Sequence, residues 1–415
     1  MMVEGPMKNC EAPPKSTVDL QAFFERVRNS PFLRGYADRV ERFEDLPPLD
    51  RPELHALIER NFSLEDEPSG VFFAKTGGTL SNALIMPIDP EENHRQRRIL
   101  AEVLNRRGIV GPRTVAVNLF NYKHLYRSAA LVDEVLDYAG ATSVGIGGIT
   151  PDEYVVNFVR MFGANTIMGT PSRLARFATY VNEEDIDVRI PTVIFAGEAL
   201  TEEREDILRT VLGAETIYGL YGAVEIGTWG TNDHNDSPHT YRILPEIAHV
   251  EVEDPDEDGF GNLLVTNVLK ERFPVLRYRL GDVGRVFERD GAPHFEFRKR
   301  YRFNFRLCGE MLTELEFETV SASAEAWQLQ LDHTPERVSR LTLLLVRTDM
   351  PAAGPVADQY AAAKRSELLA KLAADPLRLD TSAFETEVRV VGWNELATHP
   401  ITTKTPLIVD RRGVL

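Results

Sequence analysis

From Thr114 onward, short apolar runs alternate with segments whose apolar residues recur at helical spacing: TVAVNLF, AALVDEVLDYAG, TSVGIGG, DEYVVNFVRMFG, TIMG, SRLARFATYV and TVIFAG follow one another. That alternation predicts parallel strands joined by crossover helices. The helix expected after TVIFAG has Thr201 as its N-cap, Glu202 and Glu203 in the first turn where the helix dipole favours carboxylates, and Gly213 just past its end. Beyond it the pattern turns to β: HVEVEDPDEDGFGNLLVTNV predicts two strands joined through an acidic, glycine-containing turn, and VLRYRLGDVGRVFERDGAPHFEFRKR continues as short strands. Upstream, QAFFERVRNSPFLRGYADRV is amphipathic, interrupted by Pro31 and followed by Pro47 and Pro48, which suits an N-terminal cover. The last hundred or so residues repeat the mixed pattern on a smaller scale, with strand RLTLLLVRTD, helix DQYAAAKRSELLAKLAAD and strand FETEVRVVGW. The expectation is an α/β chain of two domains: a large one, 1–301, with mixed sheets and crossover helices, and a small α/β domain, 302–415.

Composition narrows the function classes. Apolar residues at 43% and charged residues at 27% are ordinary for a globular chain. A net charge of −17 disfavours a protein whose main task is gripping nucleic acid or anionic lipid, so any anionic ligand must meet a local cluster of cations. No apolar run is long enough to span a bilayer and the start lacks a signal-peptide order, which makes the cytoplasm the expected compartment. Two cysteines, Cys10 and Cys308, form neither a disulfide framework nor a Cys-x-x-Cys pair.

Four stretches carry candidate chemistry. In FFAKTGGTLSNALI, glycines and hydroxyl residues sit between strand-like flanks, where backbone N–H groups can cradle phosphate oxygens; the same residues also read as a tight turn, and the Walker spacing is absent. In YGLYGAVEIG, Glu225 stands in an apolar, glycine-rich stretch, either as a solvated glutamate or as a carboxylate able to hold Mg2+ against phosphates. LRYRLGD reads as an arginine-rich strand ending in Gly-Asp and presents Asp282 as a turn aspartate or as an acceptor for ribose hydroxyls. Lys404, in PITTKTPLIVDRR, is by itself a surface lysine. His234, His239 and His249 form a loose group without neighbouring cysteines, a weak zinc signal.

In this order the four stretches resemble the adenylate-forming superfamily, most closely its phenylacetate-CoA ligase branch. TGGTLSN stands where that family has an SSGTTGKP-like loop, AGEALTEE where it has GAEPLTEE, YGAVE where it has YGxTE, LRYRLGD where it has RYRTGD, and KTPLIVDRR where it has a lysine-bearing tail. GIGG (Gly145 to Gly148) and GTPSRLA (Gly169 to Ala175) also resemble family landmarks. The resemblance implies a large adenylate-forming domain and a small mobile cap. It also implies a ligase that joins a carboxylic acid to AMP at the expense of ATP, with Mg2+ as cofactor and CoA as a co-substrate. Thr76, Gly77, Gly78 and Thr79 would wrap the phosphates, and Gly197, Glu198 and Ala199 would border adenine. Tyr221 would pack on the base beside Gly222, Asp282 would hold the ribose, and Glu225 would hold the metal. Lys404 would bridge the attacking carboxylate and the α-phosphate, and Arg300 would match the hinge arginine. The acid pocket would include Tyr126, Gly219 and Ala223, with Lys123, His124 and Arg127 nearby hinting at a polar or extra-anionic acid. Partners implied are a small carboxylic acid, CoA or a carrier protein as acceptor, and a second copy in a homodimer, with neither nucleic acid nor membrane.

The chain departs from the family pattern at identifiable places. Ser81, Asn82 and Ala83 replace Gly, Lys and Pro, Val224 replaces a threonine, and the hinge reads KRYRFNFRLCG, with Arg302 or Phe303 near the usual aspartate and Cys308 in place of an arginine. Adenylation therefore fits the residues better than transfer to CoA. The alternatives are a secondary-metabolism adenylating enzyme without the CoA step, forming an ester, an amide or a carrier-bound product, and a degenerate nucleotide-binding protein that is no enzyme. Joint retention of Glu225, Asp282 and Lys404 argues against the second.

Overall fold

The amphipathic N-terminal stretch forms α1 (Leu20–Val27), started by Asp19, whose side chain accepts from Ala22 N–H at 3.0 Å, and ended before Pro31. The second helix, α2 (Arg51–Asn61), opens on a reciprocal capping box between Asp50 and Glu53. The computed structural model describes residues 19–75, 84–122, 125–232, 239–297, 304–307, 310–313, 315–334, 339–373, 381, 383–398 and 405–412. Phe23, Phe24, Phe43 and Leu54 of the cover are buried in the main core, and Leu49 bridges to Tyr278. A short antiparallel hairpin follows, β1 (Phe72–Lys75) with β2 (Ile85–Ile88), and then α3 (Pro90–Arg106).

The alternation after Thr114 becomes a parallel sheet. Its elements are β3 (Val115–Asn118), α4 (Ser128–Tyr138), β4 (Thr142–Gly145), α5 (Asp152–Phe162), β5 (Thr166–Gly169), α6 (Pro171–Glu183), β6 (Thr192–Ala196), α7 (Glu202–Leu212) and β7 (Thr216–Ala223). The α7 caps are those expected: Thr201 accepts from Arg204 N–H at 3.3 Å, and Gly213 adopts φ 65°.

At β7 the sheet changes sense. β7 is parallel to β6 on one side and antiparallel to β8 (Gly227–Asn232) on the other. The sheet then continues through β9 (Thr240–Ile243), β10 (Ala248–Glu253), β11 (Gly261–Asn267), β12 (Tyr278–Arg289) and β13 (Ala292–Phe297). The result is eleven strands in the order β10-β11-β12-β13-β9-β8-β7-β6-β5-β3-β4. One detail differs from the sequence expectation. The strand containing LRYRLGD does not end at Gly-Asp; it runs on to Arg289 through a bulge, because Leu264 pairs with Arg279 and Asn262 with Val283, leaving Leu280, Gly281 and Asp282 opposite Leu263. Gly281, at φ 84°, makes the bend possible and swings Asp282 out of the ladder.

The C-terminal part contains β14 (Asn304–Leu307), β15 (Glu310–Thr313), α8 (Leu315–Ser321), β16 (Ala326–His333), β17 (Ser339–Val346), α9 (Pro355–Leu372), β18 (Phe384–Val391) and β19 (Ile408–Asp410). A four-stranded sheet, β18-β17-β16-β19, packs one face on its own core of Phe317, Leu329, Leu341, Leu343, Leu345 and Leu368. The other face is apolar at one end: Ala326, Leu344, Val346, Val391, Trp393 and Leu396 join the core formed by α5, α6 and α7. Trp393 Nε1 donates to Thr179 Oγ1 at 3.1 Å, and Arg204 Nε donates to the Glu325 carbonyl at 3.3 Å. The 301/302 boundary falls among residues 298–303, outside the described residues.

Candidate active site

The switch of sense at β7 lies beside the carboxyl ends of the parallel strands, the side on which α/β sheets take their ligands. Two side-chain pairs bridge the β7–β8 hairpin to β12 there. The Tyr221 hydroxyl donates to Asp282 Oδ2 at 2.6 Å. The Tyr278 hydroxyl donates to Glu225 Oε1 at 2.9 Å. The Tyr221 ring is wedged among Trp229, Tyr241 and Phe295, with centroids 5.2, 5.2 and 4.8 Å away, so its hydroxyl has a defined position from which to orient the carboxylate. A Cβ on Gly222 would lie 2.4 Å from the Gly227 carbonyl oxygen, and one on Gly219 would meet the Phe195 ring at 2.8 Å; glycine is what lets these strands close. Ala223 ends β7.

Glu225 lies in the turn of that hairpin rather than at a strand edge, and it is buried at 5% exposure. Three long-range donors grip the turn. Lys270 Nζ donates to the Glu225 carbonyl at 2.6 Å, Asn267 Nδ2 to the Ile226 carbonyl at 2.6 Å, and Gln96 Nε2 to the carbonyls of Ile226 and Thr228 at 3.1 and 3.2 Å. Burial pushes Lys270 down to about 8, against the pull of Glu92 and Glu225. Burial raises Glu92, opposed by the Arg272 and Glu271 N–H groups that donate to it. Between this clamp and β2 lies a cavity of about 30 Å³ lined by Pro87, Glu92, Gln96, Val224, Asn267 and Lys270, large enough for a water molecule. No spacing in the sequence announced Tyr278, Lys270, Asn267 or Gln96 as site residues.

One strand over, Gly197, Glu198 and Ala199 follow β6, with Gly197 at φ 84°. The Glu198 carboxylate is committed to the start of α6, accepting from Ser172 N–H at 3.0 Å and Ser172 Oγ at 2.9 Å, and it meets Arg204 at 3.4 Å. What this loop offers a ligand is therefore its backbone. Arg173, fully buried, donates to the carbonyls of Gly148 at 2.8 Å and Thr150 at 2.9 Å, so GTPSRLA holds GIGG. On the far side, Tyr126 follows Leu125, whose carbonyl accepts from Lys75 N–H at 3.1 Å. Thr76, Gly77, Gly78, Thr79, Lys123, His124, His234, Arg300 and Lys404 lie outside the described residues. So do Ser81, Asn82, Ala83 and Cys308.

No family model matches the chain. Indoleacetate–lysine synthetase of Pseudomonas savastanoi is 24% identical over 317 residues, 74% of this chain and 77% of that protein. Phenylacetate-coenzyme A ligase of Pseudomonas putida is 29% identical over 157 residues, 35% of each chain. A 2-hydroxyisobutyryl-CoA ligase in its postadenylation state, in complex with R3-HIB-AMP, superposes with a TM-score of 0.69 at 16% identity, covering 95% of this chain and 88% of that one. In sequence and in fold the chain is similar to adenylate-forming enzymes.

That likeness gives the two bridging pairs a common context, an α/β fold with a large and a smaller part. The same 2-hydroxyisobutyryl-CoA ligase in its thioesterification state superposes with a TM-score of 0.56. Among the described residues no three His, Cys, Asp or Glu side chains gather into a metal cage. His249 is instead half-buried against Phe43, its ring 6.2 Å away, and the loss of solvent with Arg277 nearby depresses it to about 4; His239 packs on Phe297 at 5.0 Å. A single buried carboxylate, Glu225, does fit Mg2+, which keeps its waters and takes one or two carboxylates plus substrate phosphates. No helix among the described residues is long and apolar enough to cross a membrane.

Proposed function

We propose that this protein activates an aryl or otherwise bulky carboxylic acid with ATP and passes the acyl group to CoA or another acceptor. The observation that carries the reading is the Tyr221–Asp282 pair at 2.6 Å, which joins β7 to β12. An oriented carboxylate beside glycine-lined backbone is an acceptor for ribose hydroxyls, and the Gly197–Ala199 backbone one strand away supplies the polar edge an adenine needs. In the reaction, an oxygen of the acid attacks the α-phosphorus, the bond to the β-phosphate oxygen breaks, and pyrophosphate leaves. Glu225 would hold Mg2+, which neutralises charge growing on the phosphate oxygens. Tyr278 and the Lys270–Asn267–Gln96 clamp keep the Glu225 carboxylate and its turn in place. Thr76, Gly77, Gly78 and Thr79 would line the phosphates, Lys404 would place its ammonium between acid and α-phosphate, and Tyr126, Gly219 and Ala223 would line the acid pocket. The chain would divide at 301/302, with Arg300 at the hinge.

A second reading of the acceptor draws on indoleacetate–lysine synthetase, whose match spans 77% of its length: the acyl group goes to an amine, forming an amide without CoA. Phenylacetate-CoA ligase supports the thioester reading over a shorter stretch. The deciding experiment is exchange of labelled pyrophosphate into ATP across a panel of aryl acids, followed by product mass with CoA or with lysine as acceptor. Exchange should appear with at least one acid and be abolished by Asp282→Ala and Lys404→Ala. Absence of exchange throughout the panel would favour the nucleotide-binding, non-catalytic alternative.

A further inference from the structure

β1 ends on Lys75, which is 5% exposed and whose Nζ is enclosed without a hydrogen-bond partner among the described residues. An ammonium taken out of water and left uncompensated is strongly destabilising, and in a chain of net −17 there is no shortage of carboxylates that could have been placed beside it. A second cation packs on the opposite face of the same strand. The Arg127 guanidinium stacks 4.3 Å over the Phe72 ring and donates to the Tyr122 hydroxyl at 3.0 Å, while its enclosed Nε has no partner among the described residues. The hydrogen bond from Lys75 N–H to the Leu125 carbonyl ties the strand end to the segment that carries Arg127.

The position of the strand relates these cations to the site. Phe73 pairs with Pro87 and Phe72 with Ile88, and Pro87 and Ile88 share the walls of the small cavity with Val224 and Gly227, the flanks of the Glu225 turn. The β1–β2 hairpin is therefore a neighbour of the turn that carries the buried carboxylate, and Lys75 immediately precedes residues 76–83 in the chain. We infer that Lys75 is an anion-binding residue of this site whose ammonium receives an oxyanion, with the phosphate chain of the nucleotide as the favoured source. The several oxygens and multiple charges of a polyphosphate suit a buried ammonium with three donors to spare, whereas the carboxylate of the acid carries a single charge. The inference rests on the adenylation reading and adds a cation that the motif resemblance did not assign.

The test uses the full chain and Lys75→Met, which keeps the buried stem and removes the charge. Thermal shifts with MgATP, inorganic pyrophosphate and AMP are measured together with exchange kinetics. Without ligand, Lys75→Met should be no less stable than the wild type, because an uncompensated charge has been removed. It should lose the shift with pyrophosphate, keep most of the shift with AMP, and show a KM for pyrophosphate raised about tenfold or more, with Lys75→Arg recovering part of the loss. If pyrophosphate binding is unchanged but the KM for the acid rises by a similar factor, the oxyanion is the acid's carboxylate and the anion-binding role stands. Wild-type exchange accompanied by unchanged KM values and shifts in Lys75→Met would overturn the inference alone. A wild type that neither exchanges nor responds to MgATP would overturn the adenylation reading and this inference with it.

Discussion

Tyr278 and Glu225 show what a single hydroxyl can contribute when both partners are buried. The Tyr278→Phe substitution keeps the ring and the packing while leaving the carboxylate without its oriented donor at 2.9 Å. A hydrogen bond to a charged group is worth about 1.5 to 3 kcal/mol, so kcat/KM for exchange should fall by about 10- to 100-fold. The Mg2+ concentration giving half-maximal rate should rise, which a magnesium titration of both proteins reads directly. Glu225, Tyr221 and Asp282 stood out in the sequence because each lies in a short motif whose neighbours constrain it. The donors that hold the Glu225 turn did not: Gln96 reaches it from a helix separated by some 130 positions, and Lys270 acts through a backbone carbonyl, an acceptor that every residue has. Glu198 is the converse, a motif residue whose side chain the structure spends on Ser172 and Arg204.

At the scale of elements, local chemistry was readable and long-range pairing was not. Thr201 and Gly213 bounded α7 as expected because caps are decided within one turn. The bulge at Asp282 depends on how β12 meets β11, so the strand seemed to end where it only bends. The alternation of AWQLQLDH in β16 does not separate an inner from an outer face, since its polar Gln328, at 0% exposure, is itself buried and donates to the carbonyls of Ala397 and Pro406. The N-terminal cover was legible from its amphipathic pattern, and its seat on β10 yields a pH prediction. His249, pressed against Phe43, is held at about 4 in the folded protein against an ordinary 6.5. Between those values the unfolded chain binds the proton and the folded one does not, so this contribution is intact above pH 6.5 and is lost as pH falls toward 4, on the order of 3 kcal/mol in all. Chemical denaturation of wild type and His249→Phe at pH 7 and pH 4.5 should show the variant losing less stability on acidification.

For the whole molecule, the contact between the small sheet and the large domain is the feature least visible in the sequence. Strand β17 is apolar on both faces, Leu341, Leu343 and Leu345 toward its own core and Leu344 and Val346 toward α5, α6 and α7, and a continuous apolar run does not say which neighbour covers which side. Domains in one chain move freely by default unless the surface between them is hydrophobic, and here Trp393 at 9% exposure anchors such a surface. Removing it should cost about 3 to 5 kcal/mol of that contact. Calorimetry of Trp393→Ala should then resolve two unfolding transitions where the wild type shows one, and a single unchanged transition would mean the contact is energetically slight.

The reversal of strand sense at β7 has a consequence for motion. Because β7 is bonded on both sides, to β6 and to β8, it has no edge from which to fray. Its amides should be among the slowest to exchange with deuterium, opening only when the entire sheet does. Tyr221 is thus mounted on an interior strand held from both sides, and any movement a reaction cycle requires is left to turns, loops and the smaller sheet.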